Sequence, residues 1–210
     1  MALREPFNAI SHFIAAVAAL AGTIWLLSRQ IATMRLTLAI LIYGISLVSL
    51  FLASAIYHGV NGNLRQLVIL RKLDHSVIYL LIAGSYTPIC IYFFNGFWQW
   101  GLLAIVWTMA LTGIIVKMFV MNAPRWITAG AYLVMGWISI LAIAEIKRSM
   151  PPEAIRWLIA GGLFYTIGAI VYISKKLDFF PGKFGFHEIW HLFVIMGALS
   201  HYILIAAYIV

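Results

Sequence analysis

The stretch Phe186-His187-Glu188-Ile189-Trp190-His191 opens the run FHEIWHLFVIMGALSHYILIAAYIV, residues 186–210, and its reading decides the fold. The run is apolar for long enough to cross about 30 Å of hydrocarbon at about 1.5 Å per residue. His187 and His191 stand four residues apart at its mouth, one turn apart on one helical face. Two other polar sites approach the same depth. They are Ser54-Ala55-Ile56-Tyr57-His58, which closes an earlier apolar stretch, and Asp74-His75, which opens the next. Imidazoles and a carboxylate are costly at the edge of lipid unless something there uses them.

Working outward, the chain has 210 residues, 64% hydrophobic and only 10% charged, too little polar surface to wrap a soluble domain of this size. Seven apolar stretches lie near residues 9–28, 36–58, 75–94, 98–119, 126–144, 155–173 and 187–209. None shows the short alternating pattern of a membrane barrel, so the expectation is an all-α bundle of seven transmembrane helices, one domain over residues 1–210. The first stretch follows Met1 closely, with Arg4 and Glu5 before it and no small-residue cleavage site, and reads as a retained helix. Nine of the fourteen lysines and arginines, among them Arg4, Arg65, Arg71, Lys72, Lys117, Arg125 and Lys183, fall on the N-terminal side of the bundle. That bias predicts a cytoplasmic N-terminus and an outer C-terminus.

The net charge of +8 fits anionic lipid headgroups. No basic cluster is dense enough to form a nucleic-acid face, and the short loops offer no surface for a soluble protein partner. Cys90, the single cysteine, permits neither an internal disulfide nor a thiolate metal set. Small residues at Ala15, Ala16, Ala18, Ala19 and Gly22, and at Ala160, Gly161, Gly162 and Gly168, mark close helix approaches. Trp98, Trp100, Trp126 and Trp157 at span ends read as interfacial anchors. Pro88, in Gly84-Ser85-Tyr86-Thr87-Pro88, is expected to kink or interrupt the third span, and Phe180-Pro181-Gly182-Lys183 punctuates the loop before the seventh.

With seven spans, His58, Asp74, His187 and His191 all fall at the same side of the membrane. Three neutral imidazoles and a water suit tetrahedral Zn2+ with an open position, so His58, His187 and His191 are the expected metal ligands. Ligand type alone leaves copper, iron and nickel open, and an aromatic-packing role for the histidine pair remains the plain alternative. Asp74 and Ser54 are the candidate catalytic groups, the first orienting a metal-bound water or a ligating imidazole, the second donating to a developing oxygen. Asp74 also suits a helix N-cap, and Ser54 a bond back to a helix carbonyl. His75 lies about 100 degrees round the helix from Asp74 and need not face the same cavity. His12 stands at the level of the site. His201 lies about 21 Å deeper than His187 along the helix, on the same interior face, and cannot share its metal. Glu5, Asn8 and Ser11 read equally as capping or interface groups.

These residues carry a resemblance that covers essentially the whole chain: Asn8-Ala9-Ile10-Ser11-His12, Ser54-x-x-x-His58, Leu73-Asp74-His75-Ser76, Gly84-Ser85-Tyr86-Thr87-Pro88, and His187-x-x-x-His191 followed by His201. The set resembles the hemolysin III proteins, the bacterial branch of the progestin and adiponectin receptor family. The resemblance implies seven helices with a cytoplasmic N-terminus, zinc on His58, His187 and His191 with Ser54 and Asp74 close by, and residence in the bacterial inner membrane. It also implies kinship with membrane ceramidases. The expected function is zinc-dependent hydrolysis of a lipid amide or ester bond, with a membrane lipid or fatty-acyl ligand. The alternative is a non-enzymatic lipid-sensing or membrane-homeostasis protein with a structural zinc. The family name adds cytolysis, but a permanently inserted chain does not fit a secreted pore-forming toxin.

Overall fold

The computed structural model describes residues 3–29, 33–120, 122–180 and 184–210. Pro181, Gly182 and Lys183, used above for loop punctuation and for the charge bias, lie outside them. Within them the chain forms helices α1 (Pro6–Arg29), α2 (Met34–Gly59), α3 (Leu64–Phe93), α4 (Gly96–Phe119), α5 (Arg125–Trp137), α6 (Ile143–Ser149), α7 (Pro152–Ser174) and α8 (Phe186–Tyr208). A 3-10 segment, Ile138–Ala142, joins α5 to α6, so those three pieces make one crossing and the described residues contain seven helices long and apolar enough to span a membrane. The protein is a seven-span helical bundle.

The third span differs from the sequence expectation. Its helix begins at Leu64 rather than near residue 75, because Asn63 accepts from the Gln66 amide while the Gln66 side chain accepts from the Asn63 amide. This reciprocal cap starts the helix in the polar margin, where Arg65, Arg71 and Lys72 had made the segment read as loop. Asp74 therefore sits nearly three turns inside α3 and is not its N-cap. Pro88 does not interrupt α3, which runs on to Phe93. The interruption falls instead in the fifth span, where residues 126–144 had been read as one continuous helix.

Small residues set the helix spacings. Gly161 accommodates the His201 ring, Gly168 lies against Trp190 and Phe193, and Gly22 lies under the Tyr202 ring, so α8 packs closely against both α7 and α1. Trp100 and Trp126 are exposed at span ends, whereas Trp98 and Trp157 pack partly into the core.

At Gly84, α3 lies close against α2, and a Cβ there would collide with the Ser46 side chain. Gly84→Val is expected to destabilise the bundle by about 1–3 kcal/mol through overpacking. Gly130→Ala, in open space, should leave stability unchanged or slightly raised. Thermal unfolding of the detergent-solubilised variants checks the contrast, and equal midpoints would refute it.

Candidate metal centre

The last turn of α2, the third turn of α3 and the first two turns of α8 converge at one end of the bundle. His58 occupies the last turn of α2, and His187 and His191 the first two turns of α8. Their ring centroids are separated by 5.2 Å (His58 to His187), 4.7 Å (His58 to His191) and 4.9 Å (His187 to His191). One ring nitrogen from each lies within 4.8 Å of the others, and His58 and His191 are buried. The Nε2 atoms of His187 and His191 face each other at 3.2 Å. Two nitrogens bound at about 2.0–2.1 Å to a tetrahedral zinc would stand roughly 3.3 Å apart. The donor set thus fits a metal ion, and His191 Nδ1 has no protein partner.

The second nitrogen of His58 is held. Its Nδ1–H donates to Glu5 Oε2 at 2.6 Å, which directs Nε2 toward the other imidazoles. A carboxylate behind a ligating histidine fixes the tautomer and ring orientation and raises the basicity of the ligating nitrogen. That hydrogen bond from His58 holds the Glu5 carboxyl well below its ordinary range, at about 2, so it is the anion at neutral pH. Asn8 Nδ2 donates to Glu5 Oε2 at 3.2 Å and to Glu188 Oε1 at 2.8 Å, and Glu188 Oε2 accepts from the Gly185 amide at the start of α8 at 2.8 Å. The result is a continuous polar tie from α1 to α2 and α8, the helices that carry the three imidazoles. Backbone bonds from Arg4 and Glu5 to the carbonyls of Gly59 and His58 complete it. Sequence reading had left Glu5 and Asn8 as capping or interface groups. The only signal available was their spacing of three just before an apolar run.

Ser54 lies one turn before His58 and is buried, and its hydroxyl interacts with the Asp74 carboxyl. Both line the same cavity as the three histidines. His75 also reaches that wall, but its carbonyl accepts from the Tyr132 hydroxyl at 3.0 Å and it does not join the metal-facing group. His12 is 3% exposed, with its ring 4.0 Å from His191 and edge-on to Phe51. Neither of its ring nitrogens has a protein partner. His201 faces the same cavity from far along α8, its Nε2 3.4 Å from the Leu158 carbonyl.

The cavity encloses about 460 Å³ and runs between the helices from Glu5, His58 and Asp74 at one end to Phe94, Ile146 and Ile155 at the other. Its wall is mainly apolar. Cations gather near the polar end: Arg71 and Arg125 line it, with the Arg125 guanidinium 5.0 Å from the Tyr172 ring and 5.1 Å from Phe186. Lys117, buried nearby, donates to Thr128 Oγ1 at 2.9 Å. The arrangement can bind a metal at one end and a long apolar chain along its length.

Comparison with known proteins gives the same grouping. A family described as haemolysin-III related matches residues 1–202. "Hemolysin-3" of Bacillus cereus is 37% identical over 210 residues, covering 98% of this chain and 91% of that protein. "Hemolysin-3 homolog" of Bacillus subtilis (strain 168) is 33% identical over 208 residues, with 98% and 94% covered. "Adiponectin receptor protein" of Drosophila melanogaster is 31% identical over 147 residues, covering 62% of this chain and 33% of that protein. The chain is a multi-pass membrane protein and belongs to the haemolysin III family, within the wider group that includes the adiponectin receptors.

Proposed function

We propose that this protein binds the acyl chain of a membrane lipid between its helices, and that Zn2+ held by His58, His187 and His191 locks α2 to α8 around that cavity. The reading is of a lipid-sensing or membrane-homeostasis protein with the N-terminus in the cytoplasm and the metal near the inner boundary of the bilayer. One observation carries it: the three imidazoles stand in the wall of a mostly apolar cavity that extends along the bundle. Arg71 and Arg125 near the same end would favour a polar or anionic headgroup there.

Metal removal should loosen the bundle, because a site assembled from two helices returns its binding free energy to the folded state. Chelation is expected to lower the thermal midpoint by roughly 10 °C, at ~2–4 °C for each kcal/mol of lost stabilisation. Lipid affinity should fall with it. Equal stability and lipid affinity with and without metal would sink the structural role.

Glu5→Gln keeps the shape and removes the charge behind His58. Metal affinity should drop about 10–100-fold, as is usual when the partner of a ligating histidine is lost. Competitive chelator titration measures it, and an unchanged affinity would show that Glu5 does not act through His58.

A second reading, hydrolysis of a lipid amide or ester bond, is favoured by Ser54 and Asp74 beside the three imidazoles in one cavity wall. When bound, zinc would supply a Lewis acid and a water acidic enough to ionise near neutrality. Asp74 would take a proton from the attacking water and deliver it to the leaving nitrogen or oxygen as the C–N or C–O bond breaks, and Ser54 Oγ–H would donate to the carbonyl oxygen as charge develops on it. On this reading, metal-loaded protein releases fatty acid from a defined ceramide, an N-acyl lipid or a phospholipid, scored by mass spectrometry. Asp74→Asn should cut release by at least ~100-fold while retaining metal. Absence of release across the panel from fully metallated protein leaves the non-enzymatic reading.

A further inference from the structure

The break in the fifth span is met by a side chain from another helix. Tyr86, on α3, inserts its phenol into the backbone ladder where α5 ends: the hydroxyl donates to the Gly136 carbonyl at 2.6 Å and accepts from the Ser139 amide at 3.0 Å. In an uninterrupted helix the Ser139 amide would bond the Met135 carbonyl instead. A side chain inserted into the ladder is a recognised source of helix breaks, and within a membrane the freed backbone groups must find such partners. Downstream the chain tightens into the 3-10 segment Ile138–Ala142. Trp137 Nε1 donates to Thr166 Oγ1 on α7 at 2.9 Å, fixing one border of the break.

The cavity meets the outer face of the bundle beside this break. Ile140, Ile143 and Ile159 line the cavity and are nevertheless 55%, 44% and 45% exposed. Gly136 lines it too, and a Cβ added there would meet nothing within 4 Å. Ile140 lies fifteen residues beyond Arg125, about 22 Å along the span, a depth at which hydrocarbon and not water faces the opening.

We propose that Tyr86 holds open a side portal between the fifth span and α7, and that the acyl chain of the bound lipid enters and leaves the cavity through it. This rests on the cavity being a lipid-binding one. Without the phenol, the Ser139 amide can return to the Met135 carbonyl, the span rewinds and the portal narrows. The headgroup then engages the metal end while the chain exchanges with the bilayer at the far end.

Two glycines of α5 provide a matched test. Gly136 and Gly130 both have open space beside them, but only Gly136 lines the cavity. In the full-length protein reconstituted in liposomes, a brominated stearic acid quenches tryptophan fluorescence on binding, with Trp137 at the portal as reporter. In Gly136→Leu, association and dissociation rates are both expected to fall about tenfold, since a gate slows passage in both directions. Gly130→Leu should exchange at the wild-type rate. Tyr86→Phe should also slow exchange, and should increase hydrogen-exchange protection over residues 138–142.

Wild-type rates in Gly136→Leu with binding intact overturn the portal and leave the lipid cavity standing. Slowing in Gly136→Leu without any change in Tyr86→Phe overturns the role given to Tyr86. If the wild-type protein shows no quenching at all, the cavity reading fails and this inference fails with it.

Discussion

The hydrogen bond from His58 to Glu5 is the contact on which the polar end of the bundle depends. Three imidazoles brought together in a region poor in water lose hydration, so each needs a partner that satisfies and orients its ring. Glu5 provides it for His58 and, through Asn8, reaches Glu188 at the start of the helix that carries the other two. The imidazole cluster is therefore tied by polar contacts to the segment before the first span. Elsewhere the helices meet on small residues and on single polar contacts such as Trp137 to Thr166 and Tyr202 to the Gly22 carbonyl.

Most of the fold was legible because a bilayer imposes a strong and simple code. Seven apolar runs gave seven crossings, and the shared level of His58, His187 and His191 followed from the parity of the spans. The errors arose where hydropathy stops being informative. Residues 64–73 carry Arg65, Arg71 and Lys72 and look like loop, yet an Asn63–Gln66 cap makes them helix. Hydropathy reports where lipid is, not where a helix begins. Pro88 was the visible candidate for a break, but α3 continues through it while the fifth span, with no proline inside, does not.

The break in the fifth span coincides with a tertiary contact, since a phenol from α3 reaches the Gly136 carbonyl and the Ser139 amide, and hydropathy over residues 126–144 does not report it. Glu5 illustrates the same limit. Its identity suits a capping role, and only the meeting of the α1 start with the α2 end turns it into the partner of His58. His12 was placed at the correct level from sequence, but its stacking on His191 depends on the close approach of α1 to α8. Span parity brought His58 together with His187 and His191 across two helices, whereas side-chain partners such as Glu5 carried no comparable signal.

The backbone bonds from Arg4 and Glu5 to Gly59 and His58 also terminate α2, whose final carbonyls would otherwise lack partners. Arg4 adds a side-chain bond to the Tyr57 carbonyl at 2.6 Å and lies over the Tyr57 ring. The residues just ahead of the first crossing are thus part of the scaffold around the histidines, built into it as firmly as a helix cap. For protein production the consequence is that any trimming reaching Arg4 or Glu5 removes a helix cap and the partner of His58 in one cut.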